Sequence, residues 1–435
     1  MQHAVSTGNT RILTVSTFTF TVCFAVWTIF AIIGVKIKEE LGLNDTQFGL
    51  LVAMPILTGS LIRLALGIWT DQIGGRIVLV AVMLAAAAST FLLTTVNTYE
   101  LYLVAALGVG IAGGAFSVGI AYVSRFYPKE KQGTALGIFG MGNIGAAVTK
   151  MLAPLVMVAY GWHAVAQIWA VTLVVTAVLF WFMTEDDPTL QQRRKSGVKA
   201  EPFLKQLEPL KNIQVWRFSL YYFFVFGAFV ALALWLPRYL IGVYGLDIQT
   251  AGLIGACYSI PASIFRVLGG VLSDKYGARR VMYWTFIASV ICTFILSYPA
   301  TEYVVHGVKE NIRFELALGV VPFTVVVFVL GFFMSLGKAA VYKHIPVYYP
   351  DRVGSVGGVV GMIGGLGGFI LPITFGALND LIGVWTSCFM LLFAIVAVSL
   401  VWMHSAVRHL EKQQHPELAG PQDLPEAGAL NAARS

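Results

Sequence analysis

Charge is what this chain of 435 residues has little of. Asp, Glu, Lys and Arg together make up 12% of it, about half the usual share in a soluble domain, against 57% in the hydrophobic set. That excludes a water-soluble globule in favour of a membrane protein. Cysteine is scarce too: Cys23, Cys257, Cys292 and Cys388 all fall inside apolar stretches, without metal-ligand spacing, so neither a disulfide scaffold nor a zinc site is expected. The seven histidines form no H-x-x-x-H pair, and neither G-x-S-x-G nor G-x-x-x-x-G-K-[ST] occurs. An enzyme or an ATP-driven pump is therefore disfavoured, and no cofactor is expected. The net charge of +7 hints at nucleic acid, but the basic residues lie between apolar runs, where the positive-inside rule puts them. No nucleic-acid partner is read from it. A polar lead from Met1 to Thr10 precedes an apolar run that is too long for a signal-peptide core and has no small-x-small site behind it, so the N-terminus is expected to stay uncleaved.

What the chain does have is apolar length. A bilayer-crossing helix needs roughly 20 apolar residues, and such runs stand at 11–35, 46–70, 77–96, 99–126, 133–158, 164–184, 214–236, 249–273, 280–298, 316–345, 353–378 and 384–404. The fold class this predicts is all-α integral membrane, with twelve transmembrane helices in two six-helix bundles. Residues 1–184 form the first bundle, 185–213 a charged cytoplasmic linker, 214–405 the second bundle, and 406–435 a cytoplasmic tail. Rich in Glu, Pro, Gln and Ala from Glu411 on, the tail is expected to be disordered. With both termini cytoplasmic, 20 Lys and Arg fall on the inner side and 5 (Lys36, Lys38, Arg238, Lys309, Arg313) on the outer. The short loops suggest a bacterial inner membrane, and the chain is read as a monomer in a lipid bilayer.

The halves echo each other. Gly67-Ile-Trp-Thr-Asp71-Gln-Ile-Gly74-Gly-Arg76 recurs as Gly270-Val-Leu-Ser-Asp274-Lys-Tyr-Gly277-Ala-Arg279, offset by 203 residues, and Arg63 and Arg266 share that offset. A second echo, through Tyr127-Pro128 and Tyr349-Pro350, sets Phe116 against Lys338. Parallel repeats of this kind are the plan of major facilitator transporters.

Away from the span ends, four basic residues lie within spans, Arg63, Lys150, Arg266 and Lys338, while every Asp and Glu maps to a loop, a span end or a tail. An unpaired Arg in hydrocarbon costs about 2.5–3.5 kcal/mol or more, so each faces a cavity or bonds to helix carbonyls. Set across a central cavity, the two arginines would complete their charge balance with an anion from outside. Their planar forks of permanently charged donors match a trigonal oxyanion. The lysines differ, because burial makes a lysine titratable. With no embedded acid or histidine, Lys150 and Lys338 are the candidates for proton coupling, unless they merely snorkel towards the two surfaces.

The fifth run places Gly137, Gly140, Ala147 and Lys150 near one face together with Asn143, and the eleventh carries Gly354, Gly357, Gly358, Gly361, Gly364, Gly365, Gly367 and Gly368. Such glycines allow close helix crossing, and backbone that close can also line a narrow site. The Asn143 amide can donate to an oxyanion or bond to a neighbouring helix.

The two Gly-x-x-x-Asp-x-x-Gly-x-Arg loops resemble the major facilitator signature, carried here by Asp71, Arg76, Asp274 and Arg279. Gly137-Ile-Phe-Gly140-Met-Gly142-Asn143-Ile-Gly145 resembles the nitrate signature of the NarK-type nitrate/nitrite porters, and Gly364-Gly-Leu-Gly-Gly-Phe-Ile-Leu-Pro372 their second one. The resemblance covers nearly all of 11–405. It implies alternating-access transport of nitrate and nitrite, with Arg63 and Arg266 clasping the anion, Phe116 stacking on it, and Tyr222, Phe226 and Asn143 shaping the pocket. Gly137, Gly140, Gly142, Gly145, Gly361, Gly364, Gly365 and Gly368 are the signature glycines. The segment Gly337-Lys338-Ala-Ala-Val-Tyr342-Lys343-His344 resembles the proton-linked subgroup. Nitrate/proton symport is thus the expectation, with nitrate/nitrite antiport as the alternative and a nitrate receptor without turnover as the reading from another class.

Overall fold

The computed structural model describes residues 7–127, 129–188, 190, 208–348 and 353–414. Twelve of its helices are long and apolar enough to cross a membrane. Numbered in chain order, spans 1–6 are Asn9–Leu41, Asp45–Arg63, Gly75–Leu92, Tyr99–Ser124, Thr134–Tyr160 and Trp162–Met183. Spans 7–12 are Ile213–Tyr244, Ile248–Tyr276, Ala278–Ser297, Val320–Ile345, Val356–Ile382 and Ser387–His409. Helix is the form these runs must take, since in lipid the backbone has to satisfy its own hydrogen bonds within the segment.

The connections carry their own stop and start signals. Asn44 accepts from the Gln47 N–H while the Gln47 side chain accepts from the Asn44 N–H, a capping box at the head of span 2. Asp247 caps span 8 with its carboxylate alone, which accepts from the Gln249 and Thr250 N–H and from the Thr250 hydroxyl, and the Thr250 bonds hold that carboxyl below the usual range. The repeat seen in the sequence is visible in the backbone, because Gly74 and Gly277, 203 residues apart, turn the corners into spans 3 and 9 at φ of 100° and 85°. Only glycine adopts such angles freely.

Three expectations are corrected. The chain from 299 to 315, read as a plain loop, forms a β-hairpin: β1, Thr301–His306, pairs antiparallel with β2, Asn311–Leu316. The last helix runs on to Gln414, so residues 406–414 are helical rather than disordered. The remainder of the tail, and most of the linker, lie outside the described residues. Span 1 is two helices, Thr7–Trp27 and Phe30–Leu41, where one unbroken run was read.

The two sets of six spans meet mainly through span 2 against span 11 and span 5 against span 8. At the end opposite the termini, here the distal end, they are tied by charge. The Asp45 carboxylate of span 2 takes Lys38 at 3.1 Å and Arg238 of span 7 at 3.2 Å, and accepts from the Asn379 amide of span 11. Asp380 of span 11 accepts from the Thr46 N–H at 2.7 Å and its hydroxyl at 2.5 Å. Backbones press together beneath, since a Cβ at Gly49 would overlap the Pro372 carbonyl, and one at Gly376 the carbonyl of Asp45.

Candidate functional site

Arg63 comes from span 2 and Arg266 from span 8, one from each half, and both are buried. They converge on one ring. The Arg63 guanidinium carbon lies 5.3 Å from the centroid of Phe116, and that of Arg266 lies 5.5 Å from it. Arg63 is further enclosed by Phe226 at 5.5 Å and Trp27 at 5.8 Å. Its Nε donates to the Gly59 carbonyl at 3.1 Å, and its Nη1 crosses between the halves to the Gly361 carbonyl at 3.2 Å. Arg63 Nη2 and Arg266 Nη1 are buried and without a hydrogen-bond partner among the described residues, where neither arginine has a carboxylate. Helix carbonyls therefore take part of Arg63, as the sequence allowed, and leave part of each fork buried without a partner among the described residues.

The walls are aromatic and assembled from several spans. Tyr222 and Phe226 of span 7 stack at 5.0 Å and 11°, which places this pair, rather than Tyr221 and Phe223, beside the arginines. Phe116 of span 4 packs on Phe20 and Phe139. Asn143 is fully buried, and neither polar atom of its amide has a partner among the described residues. A turn away, Gly140 faces Arg266 so closely that a Cβ would sit 3.2 Å from its Cδ and Nε.

Phe116, Asn143, Phe226 and Arg266 lie at irregularities in their helices, whereas Arg63 stands in an unbroken one. A 3₁₀ turn, Gly110–Gly114, precedes Phe116, and another, Met141–Ile144, contains Asn143. A π-helical stretch, Phe223–Ala228, contains Phe226. Span 8 is broken at Ile260 and again at Phe265, one residue before Arg266. Pro261 explains the first break, because it has no N–H and its ring clashes with the carbonyl four residues back. Departures of this kind recur where helices hinge or bind.

The two lysines are fully buried and do not snorkel. Lys338 of span 10 donates to the Ala262 carbonyl at 2.7 Å and lies 3.3 Å from the Phe229 ring centroid and 6.0 Å from that of Phe226. It thus adjoins the arginine site. Lys150 stands apart, in the seam between the halves, where its Nζ donates to the Ala233 carbonyl of span 7 at 3.1 Å and its chain lies against Gly255 of span 8.

The signature glycines act by close approach. A side chain at Gly364 would enter the Tyr222 ring, one at Gly142 the Phe20 ring, and one at Gly145 the backbone of Thr21. A Cβ at Gly361 would lie 2.6 Å from the Tyr342 hydroxyl, one at Gly365 2.5 Å from the Ser60 hydroxyl, and one at Gly368 2.9 Å from Val230. Gly137 is looser, since a Cβ there would meet Val267 of span 8 only at 3.9 Å. Of the loop motif, Arg76 lies 4.1 Å from the Trp181 ring centroid and donates to the Trp181 carbonyl, with Asp186 at 3.8 Å. Asp274 pairs with Lys343 at 2.5 Å, and Arg279 donates to the Tyr348 hydroxyl at 3.0 Å. For Asp71 only the backbone, helical here, is described. These residues lie away from the arginines.

Sequence reasoning missed two members. Tyr342 of span 10 sets its ring edge-on to Tyr222 at 4.9 Å and donates to the Gly357 carbonyl at 3.3 Å. Its spacing of four from Lys338 is the signal that would have found it, since such residues share a helix face. Trp27 lies beside Arg63 and donates to the Pro55 carbonyl at 2.8 Å. Nothing in its sequence context distinguishes it from the chain's other tryptophans.

The model of the Major Facilitator Superfamily matches residues 15–301 and 244–434. Over 429 residues the chain is 43% identical to the probable nitrate/nitrite antiporter NarK1 of Thermus thermophilus, covering 95% of each protein. It is 30% identical over 407 residues to the probable nitrate transporter NarT of Staphylococcus aureus (strain bovine RF122 / ET3-1), covering 93% of this chain and 97% of that one. Among solved structures, a bacterial homologue of the human lysosomal transporter Spinster, inward-facing and occupied, superposes with a TM-score of 0.69 at 16% identity, covering 94% of this chain and 99% of its own. A variant of the nucleoside transporter NupG gives 0.70 at 15%, covering 91% and 99%. These two establish the fold, and the relatives of higher identity narrow the family. The chain is a multi-pass membrane transporter, not an enzyme, and it belongs to the major facilitator superfamily and, within it, to the NarK-type nitrate/nitrite porters.

Proposed function

We propose that this chain imports nitrate, and carries nitrite, across a bacterial inner membrane by alternating access, with protons as the coupling ion. The observation that carries the reading is the pair Arg63 and Arg266. They come from opposite halves, meet over Phe116, and keep buried guanidinium nitrogens without a partner among the described residues. A flat monovalent oxyanion offers each fork an edge and offers the phenyl ring its face. The unpartnered Asn143 amide is a further donor, and Tyr222 and Phe226 exclude water. Bulky phosphate esters suit this glycine-narrowed site poorly. One chain supplies both arginines, so a monomer suffices.

In this reading residues 1–184 and 214–405 rock about the site, joined by the linker 185–213, and both termini are cytoplasmic. The Asp45 and Asp380 links then close the outer gate. The motif residues Asp71, Arg76, Asp274 and Arg279 act at the cytoplasmic corners.

Protons enter because of charge. Moving an anion inward against a negative interior costs about 2.3 kcal/mol per 100 mV, and one accompanying proton only cancels that. Net accumulation can then draw on the pH gradient. Lys338, beside the arginines with one carbonyl and an aromatic face for company, and Lys150, in the moving seam, are the groups that would take and release protons. Nitrate/nitrite exchange is the second reading, favoured by the name of the Thermus thermophilus relative.

The test is nitrate uptake into proteoliposomes, comparing an inward proton gradient without internal nitrite against internal nitrite without a gradient. Uptake on the gradient alone is expected. Uptake only with internal nitrite would replace symport by exchange, and binding with no flux in either arm would make the chain a receptor.

A further inference from the structure

The hairpin between spans 9 and 10 plays no part in the site, and its two faces differ in kind. Successive strand residues point to opposite sides. The register therefore puts Tyr303 and Val305 of β1 on one face with Leu316, Phe314 and Ile312 of β2. Glu302, Val304 and His306 share the other face with Glu315, Arg313 and Asn311. Tyr303 and Phe314 stack at 5.4 Å across the apolar face. Yet from Glu302 to His306 and from Asn311 to Leu316 every residue is exposed, as is Val308 at the turn.

A two-stranded hairpin is marginal in water by itself, and one with an uncovered apolar face is less favourable still. Its attachment says what covers it. Three residues join the end of span 9 at Ser297 to β1, and three join β2 to span 10 at Val320. Three residues reach about 10 Å at most, so the base of the hairpin stays at the membrane surface. Beside that base, spans 9 and 10 expose Phe294, Ile295, Val321 and Val325. Exposed apolar side chains on membrane spans suit a lipid surround, and the hairpin's apolar face can continue that surface.

A second copy of the chain fits less well. Two six-residue strands present a footprint of roughly 20 by 10 Å, well short of the roughly 800 Å² per partner of a stable protein interface. The bilayer boundary has no such threshold, and it favours an amphipathic element whose aromatic rings sit at headgroup level.

We propose that the hairpin lies on the membrane surface, with Tyr303, Val305, Ile312, Phe314 and Leu316 in the headgroup and acyl boundary and Glu302, His306, Arg313 and Glu315 towards water. It fixes the distal ends of spans 9 and 10 to one leaflet. The reading does not depend on the transported substrate.

Nitroxide labels test it, placed at Tyr303→Cys and Ile312→Cys on one face and at His306→Cys and Glu315→Cys on the other. The full chain, with its four native cysteines replaced, is reconstituted in phosphatidylethanolamine/phosphatidylglycerol vesicles. The ratio of collisions with oxygen to collisions with a water-soluble nickel chelate should be higher by about fivefold or more on the apolar face. Equal ratios on the two faces would place the hairpin in water and overturn the proposal. Apolar-face labels shielded from both reagents, increasingly so at higher protein-to-lipid ratio, would assign the face to a second copy and overturn it as well. The unmodified protein gives an independent measurement. A carbene generated on a lipid acyl chain should leave adducts in the peptide 301–316, and their absence would refute membrane docking.

Discussion

Replacing either arginine by lysine separates the shape of the clasp from its charge, since both side chains are cationic but only one is a planar fork. Arg63 spends Nε on the Gly59 carbonyl and Nη1 on the Gly361 carbonyl, which leaves Nη2 free. A single ammonium group cannot hold both carbonyls, four residues of one helix and another half of the protein apart, and still meet an anion. Arg63→Lys therefore loses at least one hydrogen bond to a charged partner, about 1.5–3 kcal/mol. At 1.4 kcal/mol per tenfold, nitrate should bind roughly 10- to 150-fold more weakly. Arg266→Lys should lose a similar amount, because its Nη1 is likewise buried without a partner among the described residues and its guanidinium meets Phe116 from the other half. The double variant should fall short of the product of the two losses, since the anion bridges both sites. Isothermal titration of nitrate into detergent-purified protein measures this, with circular dichroism and elution volume reporting the fold. Nitrate dissociation constants in both single variants within about threefold of the parent would assign the arginines to structure, because such a change is smaller than one charged hydrogen bond.

Three other perturbations follow from the same geometry. Lys338→Met keeps the length and removes the ammonium that meets Ala262 and Phe229; uptake driven by a proton gradient should drop at least about tenfold while nitrite-driven exchange persists, and equal loss of both would remove Lys338 from coupling. Gly364→Ala would overlap the Tyr222 ring, whereas Gly357→Ala meets Tyr342 only at 3.7 Å. The first should cost about 1–3 kcal/mol in thermal unfolding and stop transport while the second leaves both near the parent values, and equal behaviour of the two would contradict the packing described. Arg238→Ala removes one cation from the Asp45 link, a mostly buried tie of about 1 kcal/mol. A membrane-impermeant thiol reagent added from outside should then modify Ile56→Cys several times faster in a cysteine-free background, and an unchanged rate would mean that the distal gate rests on packing alone.

The spans, their number and the pairing of the halves were legible because a bilayer imposes length and apolarity on every helix that crosses it. The arginines were legible for the same reason, as isolated charges in apolar runs. The site's backbone was not. The 3₁₀ turns at Gly110–Gly114 and Met141–Ile144 and the π-stretch at Phe223–Ala228 depend on how neighbouring helices press upon one another. A hydrophobic run reads the same with or without them. Tyr342 and Trp27 escaped because aromatics are 13% of the chain and the site selects among them by position in space. The hairpin escaped because Thr301–Leu316 alternates apolar and polar residues inside what was treated as a connection.

What surrounds the buried cations leads to a last expectation. Arg63, Arg266 and Lys338 lie close together in low dielectric with the carbonyls of Gly59, Gly361 and Ala262 and the faces of Phe116, Phe226 and Phe229. Each cation costs about 2.5–3.5 kcal/mol or more at the centre of a membrane. A cation–π contact returns about 0.5–2 kcal/mol, and carbonyl hydrogen bonds add to that without removing the mutual repulsion of like charges. A bound anion removes part of that repulsion, so it belongs to the electrostatic balance of the closed protein. Whatever binds the folded state stabilises it by RT ln(1 + [L]/Kd), about 2.7 kcal/mol at a hundred times Kd. Nitrate at that concentration should raise the melting temperature of the detergent-solubilised protein by several degrees, and chloride, spherical and without edges for two forks, by less. The rise should disappear in the Arg63→Lys, Arg266→Lys double variant. An unchanged melting temperature in the parent protein would mean that carbonyls and aromatic faces already compensate the three charges, and the argument for an anion between them would fail.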